Sequence, residues 1–113
     1  MRYAGDLLPG RYEDWILAAR ERLGQHYVGA LEALIDLHQA RGASTSAIAH
    51  AQRLLRYDPV HETTYRRLMH LYAQAGDRAA AVRVYHTCVT ALAQELDVTP
   101  AEATQTLYLL SLI

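Results

Sequence analysis

The chain has 113 residues, and its eleven arginines against twelve acidic residues leave a formal net charge of −1, which gives no overall attraction to nucleic acid or to an anionic membrane. Its single cysteine excludes an internal disulfide, and the lack of an apolar run of membrane-spanning length or of a leader pattern favours the cytoplasm. A chain of this length can bury a core of its own, so we expect one domain over residues 1–113.

The first predicted element is a long helix from about residue 13 to 41, which follows a loop over residues 3–12. Two glycines fall inside the helix but no proline does, and the apolar stripe keeps a helical spacing through Ile16, Ala19, Leu23, Tyr27, Ala30, Leu34 and Leu37. Gly42 then offers the left-handed turn that commonly ends a helix. We therefore expect one long helix, kinked near Gly24 to Gly29 rather than broken, that leads into a turn at Gly42.

Four shorter helices are predicted after this turn. The first follows the N-cap candidates Ser44, Thr45 and Ser46 and ends near residues 58–59, and the next ends at Gly76, after which Asp77 can cap a further helix. Residues 99–102 form a capping box with a proline at the first helical position, and they open a C-terminal helix over residues 100–112. No segment has the alternation of a strand, so the sequence predicts an all-α fold of about five helices.

A 34-residue internal repeat organises these helices. A shift of 34 residues aligns Gly42 with Gly76 and Ala47 with Ala81, and this period is that of a tetratricopeptide repeat, abbreviated TPR. The two repeats span residues 28–59 and 62–96. We predict TPR-like helical hairpins in a right-handed α-solenoid, in which the first half of the long helix and the C-terminal capping helix cover the ends of the repeats.

An ordered set of motifs makes the chain resemble one family. The set contains "YAGDLLPG", a tryptophan before an "RERL" helix, a repeat that runs from "ALIDLHQARG" to "AVRVY", and "LAQELDVTPAEATQTLY". Together these motifs resemble the bacterial transcriptional activation domain of the antibiotic-regulatory-protein (SARP) class of activators, from Tyr3 to about Leu110. The resemblance implies a TPR-like domain that follows an N-terminal winged-helix DNA-binding domain and helps to regulate transcription through protein contacts and dimerisation.

The winged helix of that family is missing from this sequence, so we expect the chain to be a domain excised from a longer regulator. The expected partners are its own DNA-binding domain, a second protomer in a homodimer and the transcription machinery. DNA would be bound only through the absent domain, and no membrane would be involved. Two alternatives stay open: a TPR adaptor unconnected with transcription, and a helical accessory domain of a signalling enzyme.

The repeats also predict a partner-binding groove. In TPR-like repeats the first helix of each pair lines the concave face, and the matching positions here are Glu32, Asp36, Gln39, Arg66, His70 and Gln74. Charges of both signs suit a peptide or a partner helix better than a phosphate backbone. The alternative is that Glu32 or Asp36 simply pairs with Arg66 or His70, or that all six are solvated. If the groove binds a partner, Arg66→Glu should weaken binding and leave the melting temperature unchanged.

The C-terminal helix offers a second candidate surface. Its apolar residues fall on more than one helix face, so we expect one face to cap the repeats and the other to enter a dimer or an adjoining domain; these residues are Leu107, Leu109, Leu110, Leu112 and Ile113.

The stretch "GDLLPGRYEDW" is interpreted as an interdomain hinge and latch. It lacks the glycine, lysine and hydroxyl spacing of a phosphate-binding loop. We expect Leu7 and Leu8 to anchor it on the core and Trp15 to be buried at the start of the helix. No catalytic, cofactor-binding or metal-binding residues are expected, because the six histidines form no i, i+4 pair and no nucleophile lies beside a base by spacing.

Overall fold

The computed structural model of the protein describes the backbone of residues 9–113 and the side chains of residues 12–113. Five helices and no strand lie within this range, and the helices are α1 (Pro9–Ala40), α2 (Ser44–Tyr57), α3 (Glu62–Gln74), α4 (Arg78–Leu96) and α5 (Glu102–Ser111). The predicted all-α fold of helical hairpins is confirmed. The handedness of the repeat and the covering of its ends stay predictions.

The chain divides into two compact units, Met1–Ala30 and Leu31–Ile113. The described part of the first unit is the N-terminal portion of α1, which begins at Pro9 rather than near residue 13. Proline fits the first turn of a helix because its missing N–H would have no partner there. Residues 9–12, predicted as loop, are therefore helical. No side chain described in this unit is buried, and Leu23 is 68% exposed.

In the second unit, the end of α1 faces the core with a different set of residues from the predicted stripe. Leu31 and Ile35 are 3% and 0% exposed, whereas Leu34 and Leu37 are 36% and 43% exposed. Leu34 and Leu37 of the predicted stripe are thus exposed, and the core residues of this part of α1 are Leu31 and Ile35, which lie outside the stripe. Leucine and isoleucine occupy neighbouring faces of this part of α1, so spacing alone does not select the face that packs.

The other helices of this unit pack in sequence order: α2 contacts α3, α3 contacts α4, and α5 contacts both α3 and α4. Ala47 on α2 and Ala81 on α4, aligned by the 34-residue shift, are both fully buried. A side chain of this size lets the two helices of a hairpin approach closely. A cluster of Tyr65, Cys88 and Leu92 then joins α3 to α4.

The turn between the two helices has the same backbone geometry in both repeats. Gly42 and Gly76 have φ values of 73° and 80°, in the left-handed region that glycine adopts without steric cost. The next amide after each glycine donates back to the preceding helix, from Ala43 N to His38 O and from Asp77 N to Tyr72 O, at 2.8 Å in both cases. The predicted helix-ending glycines are confirmed.

Helix N-termini follow the predictions only in part. Asp77 caps α4 as expected, because its Oδ1 accepts from Ala80 N at 3.0 Å. Residues 44–46 lie inside α2 and Ala43 is its N-cap, so their predicted capping role was wrong. The capping box at residues 99–102 was also wrong, since α5 begins at Glu102 with Ala101 as its N-cap.

Candidate functional site

Two of the six predicted groove residues, both on α1, pair with the N-cap residue of α3 and with a residue inside α3. Glu32 Oε2 lies 3.6 Å from His61 Nε2, and Asp36 pairs with Arg67. His61 also shares a 2.8 Å hydrogen bond between its Nδ1 and Thr64 Oγ1. Both acidic residues are thus paired as the alternative interpretation allowed, but with His61 and Arg67 rather than with Arg66 or His70. The 34-residue repeat predicted which helices lie side by side, but it did not predict that His61 and Arg67 are the partners of Glu32 and Asp36.

The remaining candidates on the predicted face divide into free and engaged side chains. His70 and Gln74 are exposed and Gln39 is half-buried, and within the described residues none of these three side chains forms a hydrogen bond or an ion pair. Their polar groups are therefore open to a partner. Arg66 differs, since its guanidinium points to α5.

Arg66 belongs to a polar junction between α3 and α5. Its Nη1 donates to Thr104 Oγ1 at 3.0 Å and lies 3.8 Å from Glu62 Oε2. The same Glu62 oxygen accepts from Thr104 Oγ1 at 2.5 Å and from Ala101 N at 2.7 Å. Glu62 therefore supplies the acceptor that the first turn of α5 needs, in the place of a local side-chain cap. We call Glu62, Arg66, Ala101 and Thr104 the α3–α5 junction.

The α3–α5 junction changes the expectation for Arg66→Glu. Thr104 is fully buried, and a glutamate at position 66 would put a second carboxylate beside Glu62. We now expect this substitution to lower the melting temperature, so it does not separate partner binding from folding. The i, i+4 spacing of Glu62 and Arg66 was the sequence signal for an ion pair, but nothing in that spacing pointed to Thr104.

The C-terminal helix has one anchored side and one exposed apolar side. The Tyr108 ring stacks on the Tyr85 ring of α4, with the ring centres 4.0 Å apart and the planes 10° apart. The exposed fractions of Leu109, Leu110, Leu112 and Ile113 are 60%, 61%, 55% and 81%, while Leu107 is partly buried. Thr104 and Tyr108 fix α5 on its neighbours, so the outward leucines are presented on a helix held in place.

The residues of the predicted latch are only partly described. Leu7 and Leu8 lie outside the described residues. Trp15 is 64% exposed and stacks on Tyr12 with ring centres 6.4 Å apart. Its predicted burial was wrong, because the turns around it in α1 offer no buried surface. A role for Leu7, Leu8 and Trp15 as a latch to another domain stays a prediction.

Cys88 is chemically protected. It is fully buried in α4, and burial, with a smaller contribution from the Glu62 charge, raises the pKa of its thiol from 9.0 to about 11 despite the opposing effect of Arg66. Elsewhere in the described part of the chain, no group of three His, Cys, Asp or Glu side chains could hold a metal ion.

The raised pKa predicts slow thiol labelling. At pH 8 the folded chain should react with an aromatic disulfide reagent at least a hundredfold more slowly than the unfolded chain, because only about one thiol in a thousand is ionised and none is accessible. Since the folded pKa lies above the unfolded one, this thiol favours the folded state below pH 9, and the advantage disappears as the pH rises towards 11. Labelling at equal rates in buffer and in denaturant would contradict the buried position.

One of three comparisons with known proteins found a match. The model of the family described as "Bacterial transcriptional activator domain" matches residues 2–109. No curated protein and no solved structure matches the chain. Among the described helices, none combines the length and the apolar character needed to cross a membrane.

Proposed function

The chain belongs to the bacterial transcriptional activator domain family, and from this premise we propose that it is the protein-interaction and oligomerisation domain of a cytoplasmic transcription regulator of the antibiotic-regulatory-protein type. It acts without chemistry of its own. DNA is contacted through a separate winged-helix domain of the regulator. The 113-residue domain holds two such DNA-binding domains in a dimer or docks further transcription proteins.

The exposed apolar side of α5 is the observation that carries this proposal. Four large apolar side chains in residues 109–113 are each more than half exposed, and contiguous exposed apolar surface is typical of interaction sites. Leu109 and Leu110 lie in α5, which is fixed by the α3–α5 junction and by the Tyr85–Tyr108 stack, and Leu112 and Ile113 follow its last residue. A fixed helix loses little conformational freedom on binding, which favours association.

Self-association through α5 can be measured directly. We expect the isolated chain to form a dimer in light scattering at concentrations near 100 µM, a strength typical of a small interface. Leu109→Glu combined with Leu112→Glu should weaken the dimer at least a hundredfold, because each carboxylate would have to be buried without a partner.

A charge-matched control separates the apolar contact from net charge. Thr45→Glu combined with Ala49→Glu adds the same two charges at exposed positions of α2, away from the proposed surface, and should leave the dimer intact. A wild-type chain that stays monomeric over the whole concentration range would contradict the dimer, and equal effects of the two double variants would contradict the α5 interface.

The predicted concave face supplies the second part of the proposal. His70 and Gln74 are exposed and unpaired on α3 within the described residues, near the Asp36–Arg67 pair that joins α1 to α3. Such a surface can accept a peptide through side-chain hydrogen bonds once its ion pairs have fixed the two helices. Glu32, Asp36, Gln39, Arg66, His70 and Gln74 therefore remain the proposed partner-binding face, with Arg66 as its structural support.

A further inference from the structure

A groove that none of the predicted sites includes runs between α2 and α4, with α3 as its floor. Its volume is about 960 Å³. We call it the α2–α4 groove. Along α4 the lining positions extend from Ala80 to Gln94, a length of about 21 Å at the rise of an α-helix. This elongated form suits a peptide segment better than a compact small molecule.

The floor of the α2–α4 groove is apolar. Tyr65 and Leu68 of α3 line it, and Leu55 of α2 with Val84 and Ala91 of α4 extend the apolar lining onto the two walls. Tyr65 is buried, and its hydroxyl donates to Pro59 O at 2.7 Å, so its polar atom is already satisfied. A ligand that binds this apolar lining needs apolar side chains spaced so that they all lie on the same face of the ligand.

The walls of the groove carry positive charge and no negative charge. Arg56 on α2 and Arg83 on α4 are both exposed lining residues. Within the described residues, neither guanidinium has an ion-pair partner, whereas Arg66 and Arg67 each have one. No aspartate or glutamate lines the groove, although the chain has twelve. The other polar lining residues include Gln52, Gln94 and His86, and none of them carries a negative charge.

We propose that the α2–α4 groove binds an amphipathic helix of a partner protein, with an apolar stripe on one face and carboxylates along its flanks. The stripe would lie on Leu55, Leu68 and Val84. The carboxylates would pair with the unpartnered arginines on the two walls, which face the ligand from opposite sides. This site is separate from the α5 surface and from the concave face, so it stands independently of the proposed function.

A designed peptide of about 14 residues, four helical turns, is the probe. It carries leucines at i, i+3, i+7 and i+10 with glutamates beside them and a fluorescent label, and a matched peptide has lysine at each glutamate position. In fluorescence anisotropy we expect the acidic peptide to bind the wild-type chain with a micromolar Kd, at least tenfold more tightly than the lysine peptide. Its affinity should fall as salt is added.

Variants then locate the binding. Arg56→Glu combined with Arg83→Glu should weaken binding of the acidic peptide at least tenfold. Arg53 is exposed on α2 outside the groove, so Arg53→Glu should change the Kd of this peptide less than twofold. Thr87→Trp, at an exposed lining position of α4, should also weaken binding at least tenfold by filling the groove. Circular dichroism and melting curves of each variant should match those of the wild type.

Three results would overturn the proposal. One is equal affinity of the wild-type chain for the acidic and the lysine peptide. Another is an equal loss of affinity for the acidic peptide in Arg53→Glu and in the groove variants. The third is conversion of a dimer into a monomer by Arg56→Glu with Arg83→Glu, because a second copy of the chain would then fill the groove. The first two leave the Leu109→Glu and Leu112→Glu test of the proposed function unaffected, and the third is told apart from it because the groove variants keep every residue of the α5 surface.

Discussion

Glu62→Ala should lower the free energy of unfolding by about 3 kcal/mol, since hydrogen bonds to a charged group contribute roughly 1.5–3 kcal/mol each and their loss leaves a buried hydroxyl short of its acceptor. The Glu62 side chain is only 22% exposed, and it accepts from both Ala101 N and Thr104 Oγ1. For a unit of this size the melting temperature should fall by about 10 °C or more. Chemical denaturation followed by circular dichroism gives the free energy.

Two further variants show whether this loss belongs to the α3–α5 junction. Glu102→Ala removes an exposed acidic residue from the first turn of α5 and should cost less than about 1 kcal/mol, the usual size of a helix-dipole effect. Thr104→Val keeps the shape of a buried side chain and removes its hydroxyl. If the hydrogen bond is as observed, the Glu62→Ala and Thr104→Val losses should not add in the double variant. Additive losses would mean that the two residues act independently.

Ile35→Ala should destabilise the chain by about 2–5 kcal/mol, the usual cost of emptying a fully buried aliphatic site. Ile35 is 0% exposed at the end of α1 that packs in the second unit. Leu37→Ala, two residues further along the same helix, removes a side chain that is 43% exposed and should cost less than about 1 kcal/mol. Urea denaturation of the two variants compares them under identical conditions.

This pair of substitutions tests the orientation of α1 about its own axis. The sequence pattern placed Leu37 on the packed face, whereas in the structure the packed face carries Leu31 and Ile35. If Leu37→Ala lowered the free energy of unfolding more than Ile35→Ala, the stripe predicted from spacing would be the packed face. This result would contradict the observed packing of the helix.

The features that the sequence predicted well are those determined within a few residues. A left-handed turn favours glycine, and both Gly42 and Gly76 adopt one at the end of a helix. Asp77 caps the helix that starts beside it. Ala47 and Ala81 are small residues at equivalent positions of a 34-residue repeat, and both are fully buried. In each case the residue type and its neighbours carry enough information to determine the local structure.

The features that the sequence did not predict depend on distant residues. Thr99 had the spacing of a capping box, but Glu62, 39 residues from Ala101, supplies the acceptor for the start of α5. Arg66 had a position on the predicted concave face, but its guanidinium bonds Thr104. Such long-range hydrogen bonds replace local ones when they satisfy a buried group better. The spacing of residues along the chain gives no signal for them.

The α3–α5 junction also links stability to the proposed interaction surface. Thr104 and Tyr108 lie one turn apart on the anchored side of α5, and residues 109–113 present the exposed apolar groups beyond them. Loosening the junction would let α5 move and would spread the apolar groups over many positions. We therefore expect Glu62→Ala to weaken association even at temperatures at which the other helices stay folded.

The most direct test of the central claim places the chain in a transcription assay. The chain is fused to a DNA-binding domain that represses a reporter gene only as a dimer. We expect at least tenfold stronger repression than the DNA-binding domain alone gives, and a return to that baseline in the Leu109→Glu, Leu112→Glu variant. Repression no stronger than that of the DNA-binding domain alone, with the fusion present at the same level, would contradict an oligomerisation role for this domain.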